Sequence, residues 1–170
     1  MKAPSARWSG GAIALHWLSA AWLALVFTLG FAATAANLDA ARKFDLYQAH
    51  KALGWLTLAL LAARLAARAA SRLVHAALYA LLAAVPLIGW LRVSSAIVPI
   101  PVSLFGLATI PNIAPVDADF SERMAFAHML GAWALAALVA LHAAAALKHQ
   151  FIDRDAILSR MWPRAGDRTS

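Results

Sequence analysis

The sequence predicts an all-α fold, a transmembrane four-helix bundle, and three observations carry that prediction. The 170 residues are 63% hydrophobic and 14% charged, with a mean hydropathy of +0.69, which is more lipid-compatible surface than a soluble domain needs. Windows of about twenty apolar residues, the length that crosses a hydrocarbon core, recur near 12–36, 46–69, 73–92 and 122–148. Charges are confined to the chain ends and a few short intervals. The chain reads as one membrane domain over 1–170, with 149–170 as a basic cytoplasmic tail.

The first span opens after Lys2 and Arg7, a pattern that superficially matches a signal peptide. The run from Ala12 to Ala36 is too long for a typical signal-peptide core and holds His16, Trp17 and Trp22, so it reads as a retained helix. Residues 37–45 (NLDAARKFD) and 70–72 (ASR) are short turns, which make neighbouring helices antiparallel. Pro86, within AAVPLIGW, removes a backbone donor and should kink the third span. Residues 93–121 form the long connection, with Pro99, Pro101, Pro111 and Pro115. Its apolar VSLFGL is expected to be interfacial or re-entrant, because proline and length oppose a fifth crossing.

Orientation follows from the cations. Lys2, Arg7, Arg64, Arg68, Arg72, Lys148, Arg154, Arg160, Arg164 and Arg168 fall on the side of both termini, against Arg42, Lys43, Lys51, Arg92 and Arg123 on the other. The positive-inside rule then puts both termini in the cytoplasm. The same distribution accounts for the formal charge of +7 without nucleic acid, since no aromatic-interleaved basic surface is present. The absence of cysteine rules out disulfides, iron–sulfur clusters, thiolate zinc sites and thioether-linked haem. A haem held here is non-covalent, with histidine as its axial ligand.

Histidines carry the functional signal. His128 and His142 lie fourteen residues apart in HMLGAWALAALVALH. Fourteen helical steps fall about 40° short of four turns and rise about 21 Å, so both rings leave one face at two depths. Ionisable residues inside a membrane are functional candidates. Depth assigns partners: His16, near the cytoplasmic start of span one, meets His142, and His50, near the outer start of span two, meets His128. Two bis-histidine haems, one above the other, would form an electron path across the membrane.

Several other residues have two readings. His75 opens span three at the cytoplasmic level, where it can compete with His16 or bond a haem propionate, a backbone carbonyl or water. Arg64, Arg68 and Arg72 form a basic stripe that either snorkels to lipid phosphates or pairs with an inner propionate. Lys51 and Arg92 are candidate contacts for an outer propionate or substrate. His149 is either a solvated interfacial residue or part of a substrate site. The outer side carries Asp39, Asp45, Asp117, Asp119 and Glu122 against its five cations, so any attraction of an anion there is local.

These pieces resemble the prokaryotic cytochrome b-561 group of di-haem membrane proteins. The resemblance rests on ALHWL (His16), YQAHKALGW (His50), HAALYALLAAVPLIGW (His75, Pro86), HMLGAWALAALVALHAAAALKH (His128, His142, His149) and a tail ending RMWPR. It implies that His16, His50, His128 and His142 ligate two b-type haems. It also implies oxidation of superoxide on the outer side of a bacterial inner membrane, with electrons passed to ubiquinone near His149. The alternative is a haem b relay subunit that carries electrons between a periplasmic dehydrogenase or hydrogenase, as donor protein, and the quinone pool.

Overall fold

The computed structural model describes residues 8–35, 37–66, 73–155 and 157–162. Four long helices form: α1 (Gly10–Ala35), α2 (Ala40–Ala66), α3 (Leu73–Ser95) and α4 (Ala118–Phe151), with a short α5 (Ile157–Arg160) after α4. Polar residues cap three of these helices at their starts. Ser9 Oγ accepts from the Ala12 amide at 3.3 Å, Asp39 from Arg42 at 3.0 Å and Asp117 from Phe120 at 2.9 Å. Each supplies an acceptor to an amide that the helix itself leaves unpaired.

Three of the four long helices are long and apolar enough to cross a membrane: Gly10–Thr34, His75–Ser95 and Ala118–Phe151. Helix α2 is as long, but Arg42, Lys43, Asp45, Lys51 and Arg64 make it more polar. Backbone packing runs in sequence, α1 on α2, α2 on α3, and most extensively α3 on α4. Where α1 faces α4, side chains meet, as Phe27 does Trp133 at 5.3 Å between ring centres. Few side chains are buried, among them Ile13, Ala52, Leu61, Leu82 and Val85. Leu18, Leu25, Phe31, Phe126, Leu130 and Leu141 face outward, an apolar exterior suited to lipid rather than water. The chain is thus a multi-pass membrane protein by its helices.

The long connection, expected to be interfacial or re-entrant, carries a hairpin. VSLFGL supplies β1 (Val102–Leu104) and the turn of an antiparallel hairpin with β2 (Ala108–Ile110), and β1 packs against α2. Pro99 and Pro101 deny the stretch a helix, and Val-Ser-Leu alternates as a strand does. Its turn holds Phe105 at φ 55 and Gly106 at φ 78. Val102 is buried while Leu107, at the tip, is 92% exposed. A Cβ at residue 106 would be strained, by about 1–2 kcal/mol. Gly106→Ala should therefore speed proteolytic cutting at 105–107 while leaving the helices' melting unchanged; an unaltered cutting rate would count against this turn.

The connection is tied down at both ends. Trp90 Nε1 donates to Pro111 O at 3.0 Å, Asn112 Nδ2 to Pro99 O at 2.8 Å, and Ser121 Oγ to Arg92 O at 2.9 Å. Helix α3 stays helical through Pro86, whose missing N–H takes the usual donor away from Leu82 O.

Candidate functional site

Two histidine pairs lie between the helices. His50 on α2 faces His128 on α4 with ring centres 6.0 Å apart and planes at 89°. His16 on α1 faces His142 on α4 with centres 6.2 Å apart and planes at 56°. With metal–nitrogen bonds of about 2.0 Å, two imidazoles on opposite sides of one iron have ring centres about 6 Å apart. The separations therefore leave room for a haem iron that each pair would hold between its rings. Among the described residues, no group of three or more His, Cys, Asp or Glu forms a site for a bare metal ion.

The outer pair is oriented by the backbone. His50 Nδ1 lies 2.8 Å from Val26 O and His128 Nδ1 lies 2.9 Å from Val85 O. A carbonyl only accepts, so Nδ1 carries the proton and a neutral ring leaves Nε2 bare for a metal. A cavity of about 720 Å³ adjoins this pair and is lined also by Lys51, Trp55, Trp90 and Arg92. A second cavity, about 470 Å³, runs from the same pair along Ala20, Ala24, Ala136, Ala140 and Ala143. Alanines on α1 and α4 open this slot, because their side chains are too small to fill it.

The cations expected near propionates take definite positions. Arg64 turns inward: its Nη1 donates to Leu15 O at 3.4 Å and its guanidinium lies 5.7 Å from the Tyr79 ring centre. Its Nε is buried without a hydrogen-bond partner. A buried guanidinium N–H left open beside His16 suits an acidic group of a ligand, such as a haem propionate. Lys51 donates to Ile100 O at 3.2 Å and Pro101 O at 3.5 Å, strapping the hairpin connection to α2. Arg92 lines the outer cavity, and Arg42 is paired with Asp39 at 3.3 Å. Arg68 lies outside the described residues.

His75 stands on α3 beside the inner pair, its ring centre 5.3 Å from that of His142. His149 lies apart, at the end of α4, where its Nδ1 is 3.1 Å from Asp153 and 2.8 Å from Asp155. Lys148 reaches Asp153 at 2.8 Å, and that hydrogen bond holds the Asp153 carboxyl below its ordinary range. The contact is therefore complete above the ordinary carboxylate range and is lost as pH falls through the lowered value. Trp17, next to His16, donates to Met161 O at 2.6 Å, which brings the α5 end of the chain against α1.

Sequence reasoning missed Gly30 and Gly89. A Cβ at Gly30 would lie 2.7 Å from His50 Cε1, and one at Gly89 would lie 3.0 Å from His128 Cε1. The signal was a shared spacing, Val26-Phe-Thr-Leu-Gly30 and Val85-Pro-Leu-Ile-Gly89. It also missed Trp55, whose Nε1 is buried without a hydrogen-bond partner on the wall of the outer cavity.

A protein-family model described as prokaryotic cytochrome b561 matches residues 66–164. That stretch holds His75, His128, His142 and His149, while His16 and His50 precede it. The protein called cytochrome b561 homolog 2, of Escherichia coli (strain K12), is 40% identical over 90 residues, which are 51% of this chain and 45% of that protein. The match thus spans a little under half of the relative's length. Since the family model covers more than half of the chain, the protein belongs to the prokaryotic cytochrome b561 family.

Proposed function

We propose that the chain is a four-helix, di-haem b-type cytochrome of the bacterial inner membrane that oxidises superoxide and reduces ubiquinone. The observation that carries this reading is the meeting of four histidines in two pairs, 6.0 and 6.2 Å apart, separated along α4. His50 and His128 hold the outer haem, and His16 and His142 the inner one. In this reading α2 is the fourth span, its Lys51 satisfied by carbonyls and its Arg64 turned toward Leu15 and Tyr79. Ionisable side chains are tolerated in a membrane when they face inward and find such partners. Both termini are cytoplasmic.

The bound haems supply two one-electron relay stations. Two superoxide anions give up one electron each at the outer face and leave as dioxygen. Arg92, on the wall of the outer cavity, attracts the anion locally. At the inner face ubiquinone takes up two electrons and two protons to become ubiquinol. In this reading His149, near the carboxylates of Asp153 and Asp155, passes protons at that surface. Arg64 offers its open Nε to an inner propionate, and His75 packs beside His142.

The test is to supply superoxide to the purified protein with a soluble ubiquinone analogue. Haem reduction and ubiquinol formation without a partner subunit are expected. Arg92→Glu should slow haem reduction about tenfold, and added salt should weaken the wild-type rate. His149→Ala should impair ubiquinol formation more than haem reduction. Should superoxide leave the haems oxidised while a periplasmic dehydrogenase or hydrogenase reduces them, the relay-subunit reading replaces this one.

A further inference from the structure

We infer that Gly30 and Gly89 are positioning residues that form two matching sockets for the outer histidines and hold their rings at right angles across the iron. In each socket, a histidine of one helix donates its Nδ1 proton to a main-chain carbonyl of a neighbouring helix, and a glycine stands four residues beyond that carbonyl. His50 reaches Val26 O on α1, with Gly30 beyond it, and His128 reaches Val85 O on α3, with Gly89 beyond it.

Helix geometry explains the spacing. Residues i and i+4 lie one above the other, and each Cα–Cβ bond tilts toward the helix N-terminus. A side chain at 30 or 89 would therefore project over the carbonyl that the histidine must reach. At Gly30 the added Cβ would stand 2.7 Å from His50 Cε1 and 2.8 Å from Nδ1; at Gly89 it would stand 3.0 Å from both Cε1 and Nδ1 of His128. Since these contacts are with ring atoms, the imidazole must shift, by a few tenths of an ångström at His128 and further at His50, and the shift strains the Nδ1 hydrogen bond. That bond fixes the tautomer and raises the basicity of Nε2.

The sockets approach from different helices, and the two rings stand at 89°, whereas the inner rings stand at 56°. Perpendicular imidazoles donate into different iron d orbitals, leaving those orbitals close in energy and the ferric magnetic response strongly anisotropic. Rings closer to parallel split the orbitals and give a more rhombic response. The outer ferric haem should then show the more anisotropic low-spin resonance of the two.

This inference rests on the haem-ligand reading above, and the experiment separates their failures. Gly30→Ala, Gly89→Ala and, as a control with open space around its Cβ, Gly11→Ala would be purified and compared by haem content, redox titration and electron paramagnetic resonance. Alanine is the better helix former, so a loss at 30 or 89 is not a loss of helix propensity. Gly30→Ala, with the closer contact, is expected to weaken outer-haem retention roughly 10–100-fold, and Gly89→Ala to do so less. Any retained outer haem should lose part of its anisotropy and shift in potential, while the inner signal stays unchanged. Wild-type protein with two equally rhombic signals, or glycine variants whose outer signal and potential match the control, would overturn the sockets and leave the ligand reading standing. A wild-type preparation without haem would overturn the ligand reading itself.

Discussion

Replacing His50 or His128 with alanine is expected to remove the outer haem and leave the inner one, while His16→Ala or His142→Ala does the reverse. Each substitution would take one of the two bonds from protein to iron, and a non-covalent haem without both histidines is lost or turns high-spin. Haem content should fall by about half in a variant that loses one group and keeps the other. A pyridine haemochrome assay reads the amount, and low-temperature spectra identify which haem is gone. The basis is the facing of rings at 6.0 Å and 6.2 Å on different helices. His75→Ala is expected to keep both haems, although its ring stands 5.3 Å from that of His142. If His16→Ala instead matches His50→Ala, or His75→Ala empties the inner level, the pairing is wrong.

Arg64→Met is expected to lower the potential of the inner haem and leave the outer one unchanged. The guanidinium is held inward by Leu15 O and the Tyr79 ring, with a buried Nε open beside the inner histidines. Loss of a partly buried cation favours the oxidised, more positive iron. The shift should be on the order of 60 mV, which is tenfold in the equilibrium constant of a one-electron couple. Arg64→Lys should retain part of the potential, because it keeps the charge but not the planar fork of donors. Redox titration of both variants distinguishes this role from simple snorkelling, in which neither substitution would move the inner potential.

The family resemblance was legible in local patterns: HW at His16, HK at His50, and the fourteen-residue spacing of His128 and His142. Helical period alone put the last two on one face. The hairpin was not legible, because VSLFGL is apolar enough to pass for a membrane segment and its pairing with Ala108–Ile110 depends on a turn at positive φ. Nor did the sequence distinguish a snorkelling arginine from an inward one. Arg64 was open to both readings, and its direction follows from a carbonyl on α1 and a ring on α3, which come near only when three helices pack.

By itself the sequence determined the run of long apolar helices, the lack of any thiol chemistry and two histidine depths on α4, because these depend on composition and on the repeat of a single helix. The tertiary structure alone decided which carbonyls orient the rings, that Lys51 straps a connection, and that Gly30 and Gly89 stand against the rings of His50 and His128. Those are distances between helices, set by packing of segments that lie 24 to 50 residues apart in the contacts of His50, His128 and Lys51. No local periodicity encodes such a distance, since it depends on how closely two helical surfaces approach.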